Sequence, residues 1–108
     1  MKNAKEEFEK EVKENGKPIC AKVGIDKEDY GSSIKWYILN PNYTDEEYKD
    51  FLKQIDFYYD NGYGSQELFG KILFTNSFSN RYEYDGSEYW KNHKMPSINE
   101  TINTKNKY

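Results

Sequence analysis

The sequence predicts an α+β domain: a mainly antiparallel sheet of four to five strands, two main helices packed on one face, and a short C-terminal helical turn. Two segments begin with helix-capping residues and continue with apolar residues at helical spacing. Other segments alternate apolar and polar residues, the period-two pattern of strands with one buried face. The order of these segments, helix, two strands, helix, then two or three strands, gives the fold class.

The first helix is predicted over residues 3–15. Asn3 is its N-cap, Glu6 occupies the capping-box position, and Gly16 followed by Pro18 ends it. Its apolar stripe consists of Ala4, Phe8 and Val12. The stripe is narrow, so we expect this helix to rest on the domain mainly through Phe8.

The second helix carries the stronger start signal. Thr44 and Glu47 have the spacing of a capping box, and Tyr43 and Tyr48 have the spacing of a hydrophobic staple. One broad apolar face follows, made of Tyr48, Phe51, Leu52 and Ile55. The acidic residues of the first turn are favoured there by the helix dipole, which is a structural reason for their presence.

Strands are predicted in five segments: residues 19–25, 34–39, 57–59, 68–75 and 78–84. The first two are separated by a turn and are expected to form an antiparallel pair. In the fourth segment, Leu68, Ile72 and Phe74 should face the core with Gly70 between them.

Two further segments have sequences that are typical of turns. Asn61-Gly62 is typical of a tight turn that needs positive φ. The run from Asp85 to Glu88 repeats the spacing of an N-cap residue followed by Glu, and it predicts a single helical turn that carries Tyr89 and Trp90.

Length and composition indicate one domain over residues 1–95, followed by a tail at 96–108 whose composition is typical of a mobile segment. Aromatic residues make up 18% of the chain and supply most of its apolar surface. The single cysteine, Cys20, excludes a disulfide-stapled scaffold. No segment has the pattern of a signal peptide or a membrane span, so we expect a cytoplasmic protein with no membrane partner.

The net charge of −3 is unevenly distributed. Residues 43–90 hold ten acidic and four basic side chains, whereas residues 91–108 hold one acidic and four basic. Fourteen of the nineteen aromatic residues also lie in 43–90. This acidic, aromatic segment should repel phosphates, so no direct contact with nucleic acid is expected through it.

Motifs for catalysis or cofactor binding are weak. The glycines around Tyr63 lack the lysine of a phosphate-binding loop, and a hairpin turn explains them better. Asp56, Asp60 and Glu67 lack the spacing of a calcium loop, so no metal and no cofactor are expected. Cys20 lies on a predicted strand, where a small buried thiol is common, and His93 lies near the tail, so catalysis by a nucleophilic pair of these residues is not expected.

The segments YDNGYGSQELFG (residues 59–70) and RYEYDGSEYW (residues 81–90) resemble a group of small uncharacterised proteins from phages and mobile elements. The resemblance covers residues 43–96 and implies a compact single domain, with no established active site to transfer. Small acidic proteins of this origin include anti-CRISPR inhibitors, which bind stoichiometrically to the nucleic-acid surface of an effector. This association by type of protein, and not a shared motif, favours an inhibitor of that kind.

We therefore expect a non-enzymatic interaction protein that binds and inhibits a nucleic-acid-handling effector, of the anti-CRISPR or anti-defence type. Carboxylates interleaved with tyrosines can imitate the charge and stacking features of nucleic acid in a basic groove. The expected protein partner is one with such a groove, for example a CRISPR effector. The predicted contact residues are Asp60, Tyr63, Glu67, Glu83, Asp85, Glu88 and Tyr89.

Two alternatives remain open. The first is a sugar- or nucleotide-binding module that uses stacked aromatic rings, namely Tyr63, Tyr82, Tyr89 and Trp90. The second is a small hydrolase that uses Glu83, Asp85 or His93. A competing structural explanation is that the tyrosines fill the core with their hydroxyls at its edge, and the carboxylates keep the sheet soluble.

Overall fold

A computed structural model describes residues 1–26, 33–60 and 66–95 of the chain. Its secondary structure alternates short strands with two helices. In chain order the elements are β1 (Lys2–Asn3), α1 (Ala4–Asn15), β2 (Cys20–Asp26), β3 (Ile34–Leu39), α2 (Asp45–Gln54), β4 (Tyr58–Tyr59), β5 (Leu68–Leu73), β6 (Ser77–Tyr84) and β7 (Ser87–Lys94).

Five of the strands form one antiparallel sheet in the order β3-β2-β5-β6-β7. The predicted pairing of β2 with β3 is confirmed, with Val23 opposite Tyr37 in the register. Strand β4 does not join this sheet, because it pairs with β1 in a separate two-stranded sheet. The α+β class, the antiparallel sheet and the two helices are thus as the sequence predicts.

Both helices begin where their caps predict. The side chain of Asn3 accepts a hydrogen bond from the backbone N–H of Glu6 and caps α1. At α2, the Thr44 hydroxyl accepts from the N–H of Glu47, while the Glu47 carboxylate accepts from the N–H of Thr44. This reciprocal pair satisfies N–H groups that the first helical turn leaves without partners.

The core lies between the two helices and one face of the five-stranded sheet. Phe8 of α1 and Phe51 of α2 meet edge to face, with ring centroids 5.2 Å apart. Alternate residues of β2 face the core, and so do alternate residues of β5 and of its continuation to Phe74. This spacing follows from the two-residue period of a strand. These buried sheet residues are Ala21, Val23, Ile25, Leu68, Ile72 and Phe74.

The helical turn predicted near the C-terminus is wrong. Asp85 and Gly86 both have positive φ, at 52° and 82°, and they connect β6 to β7 as a two-residue hairpin turn. Such a turn matches the twist of the flanking strands, and glycine adopts it without steric cost. Tyr89 and Trp90 therefore lie on a strand and face opposite sides of the sheet.

Some predictions fall on residues outside the described ranges. These are most of the turn between β2 and β3, the Asn61-Gly62 turn, and the tail at 96–108. Ile19 was expected on the buried face of the first strand, but it precedes β2 and is exposed.

Candidate functional site

The five-stranded sheet has two unlike faces. The inner face packs on α1 and α2. The outer face carries the side chains of the alternate strand positions, which point away from the helices. Among the described residues, the large exposed side chains of the strands include Trp36 and Ile38 on β3 and Tyr82 and Tyr84 on β6. Ile34, Trp36 and Ile38 share one face as predicted, and that face is the outer one, because Tyr37 and Leu39 pack on the core.

Four of the predicted contact residues are exposed. Glu83, Asp85 and Tyr89 lie in or beside the β6–β7 turn, and Asp60 follows directly after β4. Tyr84 stands between the two acidic residues at 74% exposure. The tip of this hairpin thus presents carboxylates and a tyrosine to solvent.

Glu88 was predicted as a surface contact, and the structure corrects this. Its side chain is almost fully buried, and its carboxylate accepts hydrogen bonds from the backbone N–H groups of Glu67 (2.8 Å) and Leu68 (2.9 Å). These groups lie at the start of β5, before the ladder with β6 begins at Lys71. Glu88 therefore fills a place where backbone pairing is missing, and it cannot reach a partner protein.

Glu67 is half-buried, and its backbone is held from two sides. Its N–H donates to Glu88 on β7, and its carbonyl oxygen accepts from the N–H of Asp26 at the end of β2. Glu67 and the β6–β7 turn consequently lie at the same end of the sheet. Tyr63 lies outside the described residues.

Arg81 is the centre of a buried polar network that the sequence did not indicate. Its guanidinium lies 3.4 Å from carboxylate oxygens of both Glu7 and Glu88 and donates to the Tyr59 hydroxyl at 2.8 Å. The Tyr59 hydroxyl in turn donates a hydrogen bond to Glu7. Since each charged group has partners, the network joins α1, β4, β6 and β7 without leaving an isolated buried charge.

Burial raises the pKa of Tyr59 well above the ordinary value for tyrosine. The hydrogen bond to Glu7 acts in the same direction, because it holds the phenolic proton, while the charge of Arg81 opposes it. Tyr59 is thus a neutral hydrogen-bond donor, fixed between a carboxylate and a guanidinium.

The four aromatic residues proposed for ligand stacking do not form one pocket in the described part of the chain. Tyr82 and Tyr89 are neighbours on the outer face, with ring centroids 6.3 Å apart. Trp90 lies on the inner face, where its ring approaches Gly70 and the guanidinium of Arg81. Only the Tyr82–Tyr89 pair of this set can therefore serve as a stacking surface, while Tyr63 is outside the described residues.

The residues considered for hydrolysis fall into separate groups: Glu83 and Asp85 both lie at the β6–β7 turn, whereas His93 and Cys20 are distant from them and from each other. Cys20 and His93 fall on one row across β2, β5, β6 and β7, so three strand spacings, about 14 Å, separate their backbones. His93 stacks on Phe78 and lies 3.2 Å from the Tyr82 hydroxyl. Glu83 is opposite Glu88 at the other end of the hairpin, about 17 Å along the strand from His93.

No group of three His, Cys, Asp or Glu side chains in the described ranges could hold a metal ion. Of the three carboxylates considered for this role, Asp56 accepts a hydrogen bond from the Asn3 side-chain amide. Asp56 thus has a local structural contact, in the segment that joins α2 to β4.

Three lysines that the sequence did not single out occupy the outer face. The ammonium groups lie 4.9–5.9 Å from aromatic ring centroids: Lys22 over Trp36, Lys71 over Phe78 and Lys91 over Tyr82. The only sequence signal for them is their place in the outward phase of their strands, since cross-strand register is not visible in the sequence.

Comparisons with protein-family models, with curated proteins and with solved structures found no significant match. Neither helix of the described residues has the length and apolar character needed to cross a membrane.

Proposed function

We propose that this protein is a small stoichiometric inhibitor that occupies a basic groove of a nucleic-acid-handling effector. The proposed contact surface consists of the β6–β7 turn residues Glu83, Tyr84 and Asp85, called here the hairpin tip, together with exposed Asp60 after β4. The observation that carries the proposal is the exposure of the Glu83 and Asp85 carboxylates on both sides of Tyr84 at a two-residue turn.

The chemistry of the hairpin tip suits a cationic groove. A carboxylate can accept two parallel hydrogen bonds from an arginine, and the face of an exposed tyrosine can stack on a guanidinium. Tyrosine also provides a large contact area with little loss of conformational entropy. Glu83 additionally accepts a hydrogen bond from the N–H of Gly86, which fixes its carboxylate beside the turn.

Buried contacts fix the positions of the strands that carry the hairpin tip. The Glu88 carboxylate ties β7 to the start of β5, and Arg81 connects β6 to Tyr59, the residue before Asp60. A preformed contact surface loses less entropy on binding than a flexible one does. These buried contacts thus support a role for the tip in recognition.

The proposed class of partner follows from the resemblance to small phage and mobile-element proteins. A CRISPR effector holds its nucleic acids in a positively charged channel, and a competing acidic ligand would prevent the nucleic acid from binding. The inhibitor needs no catalytic group under this mechanism.

The test is a binding measurement against a panel of purified CRISPR effectors, each with and without its guide RNA. We expect one effector to bind the wild-type protein with an affinity that falls steeply with salt, and guide or target nucleic acid to compete. The double variant Glu83→Gln/Asp85→Asn should bind at least about tenfold more weakly, because two charge-assisted contacts are lost.

The matched control is Glu46→Gln/Asp50→Asn, which removes the same charge from exposed positions on α2. This control should bind like the wild type. An equal loss of binding affinity in the two variants would show that affinity depends on the net charge of the protein and not on the hairpin tip. Binding that is independent of salt, or unaffected by nucleic acid, would contradict occupation of a basic groove.

A further inference from the structure

The outer face of the sheet combines positive charge with aromatic rings in regular rows. The strand register places Lys22 opposite Lys71, Lys71 opposite Asn80, and Asn80 opposite Lys91. These four residues thus form one row across β2, β5, β6 and β7. At about 4.8 Å per strand, the row extends about 14 Å from Lys22 to Lys91.

A row of aromatic residues adjoins the lysines on the side of the hairpin tip. It consists of Trp36 on β3, Phe69 on β5, Tyr82 on β6 and Tyr89 on β7. Gly24 occupies the β2 position of this row, and an added Cβ there would lie 2.7 Å from the Trp36 ring. The Trp36 ring therefore lies close to Gly24, in space that a side chain there would fill, and Trp36 remains 41% exposed.

On the other side of the lysine row, Phe78 stacks on His93 with ring centroids 5.1 Å apart. Between the rows, a depression of about 360 Å³ is lined by residues that include Trp36, Phe69, Tyr82, Lys22 and Lys71. Each lysine is held against a ring, so its ammonium group stays beside an aromatic surface.

Carboxylates are nearly absent from this face within the described strands. The five strands of the sheet contain three, and Glu83 and Glu88 occupy the inner phase. The third, Asp26, has the same outward phase as Lys22 and Gly24, but it lies at the very end of β2, away from the lysine row, and is largely buried. The acidic residues of α1 and α2 belong to helices that pack on the inner face. The part of the outer face around the lysine row is thus positive, in contrast to the chain as a whole.

We propose that the outer face binds single-stranded nucleic acid, with phosphates along the lysine row and bases stacked on Trp36, Tyr82 and Tyr89. Unstacked bases offer flat rings that aromatic side chains accept with little regard to sequence, while lysines neutralise the backbone. At a stacked rise of roughly 3.4 Å, the row matches about four nucleotides. This surface is distinct from the hairpin tip, whose charge is negative. The proposal departs from the expectation of no nucleic-acid contact through residues 43–90, because Lys71, Tyr82 and Tyr89 of that segment have the opposite strand phase to Glu83 and Glu88.

The probe is a fluorescein-labelled oligo(dT) of about 12 nucleotides, long enough to cover the face. At about 50 mM salt we expect saturable binding in roughly the 1–100 µM range, with weaker binding to duplex DNA of equal length. The slope of log affinity against log salt should be about −2, because three lysines on a single strand each contribute about −0.7. Base stacking should quench Trp36 fluorescence, and Trp36→Phe should abolish that quenching.

The variant Lys22→Gln/Lys71→Gln/Lys91→Gln should lower affinity at least about tenfold and flatten the salt dependence. Tyr82→Ala should lower affinity roughly 5- to 150-fold, the loss of one stacked base. The matched control is Lys10→Gln/Lys49→Gln/Lys53→Gln, whose lysines are exposed on the helices. It should keep the wild-type affinity, and circular dichroism should show every variant folded.

Several results would overturn the proposal. These are an absence of oligonucleotide binding at low salt, an equal loss of affinity in the two lysine variants, or a Tyr82→Ala variant that binds like the wild type. Polyglutamate distinguishes an acidic protein partner from nucleic acid. If it binds as tightly as oligo(dT) and leaves Trp36 fluorescence unchanged, the face recognises polyanions without stacking.

Discussion

The guanidinium of Arg81 and the carboxylate of Glu88 lie 3.4 Å apart, and both side chains are almost fully buried. They occupy neighbouring strands, where Glu88 is also held by the backbone N–H groups of Glu67 and Leu68 at the start of β5. This pair therefore fastens the hairpin to the rest of the sheet. Its removal should affect stability far more than removal of an exposed charge beside it.

Glu88→Gln is expected to lower the free energy of unfolding by about 3 kcal/mol, because it leaves the buried charge of Arg81 with Glu7 as its remaining acidic partner. Urea denaturation measures the change. The control is Glu83→Gln, since Glu83 is exposed directly opposite Glu88 in the register. That control should change stability by less than about 0.5 kcal/mol, and equal losses in both variants would contradict a structural role for the buried pair.

Because the pKa of Tyr59 is raised in the folded state, the free energy of unfolding should fall at alkaline pH. Its pKa in the folded state is raised above the unfolded value of about 10, so its contribution is fully present below about pH 10. Above that pH, the unfolded chain loses the proton while the folded chain keeps it, and unfolding becomes more favourable as pH rises. Urea denaturation at about pH 8 and pH 11 should show a smaller decrease in Tyr59→Phe than in the wild type.

At neutral pH, the same Tyr59→Phe variant should be about 1–2 kcal/mol less stable, because Arg81 and Glu7 both lose a buried hydrogen-bond partner. Tyr58→Phe is the matched control, since the side chain of Tyr58 is exposed. A Tyr59→Phe variant with wild-type stability would show that the hydroxyl contributes nothing to the network.

Gly70→Ala should destabilise the protein more than Gly24→Ala. At Gly70, a Cβ would lie 2.6 Å from the backbone carbonyl oxygen of Lys22 and 2.8 Å from the Trp90 ring. At Gly24, the close atoms belong to the side chains of Ile34 and Trp36, which border solvent and can move. We expect a loss of about 2–3 kcal/mol for Gly70→Ala and about half of that for Gly24→Ala, measured by thermal denaturation.

The hairpin turn should tolerate asparagine at position 85, but it should not tolerate a side chain at Gly86. Gly86→Ala forces a residue with a Cβ to φ 82° and should cost about 1 kcal/mol. Asp85→Asn should be neutral, because asparagine accepts the positive φ of this position and Asn-Gly is the favoured pair for such turns. A large loss of stability in Asp85→Asn would indicate a structural role for the carboxylate.

Much of the fold was predictable because it depends on local signals. The caps at Asn3 and Thr44 and the alternation around Leu68 and Ile72 each act within a few residues, so the sequence shows them directly. The hairpin turn was misread because Asp85 and Glu88 have the spacing of a helix cap. That spacing cannot reveal that the Glu88 carboxylate binds N–H groups of a strand twenty residues earlier.

The sequence by itself determined the two helices, the antiparallel strands and the acidic, aromatic character of residues 43–90. Only the tertiary structure decided which charges share a surface. Lys22, Lys71 and Lys91 come from three separate segments, and strand register places them in one row. Most of the acidic residues meanwhile lie on the helices and at the hairpin tip. Register depends on long-range packing, so the positive outer face has no counterpart in any local stretch of the chain.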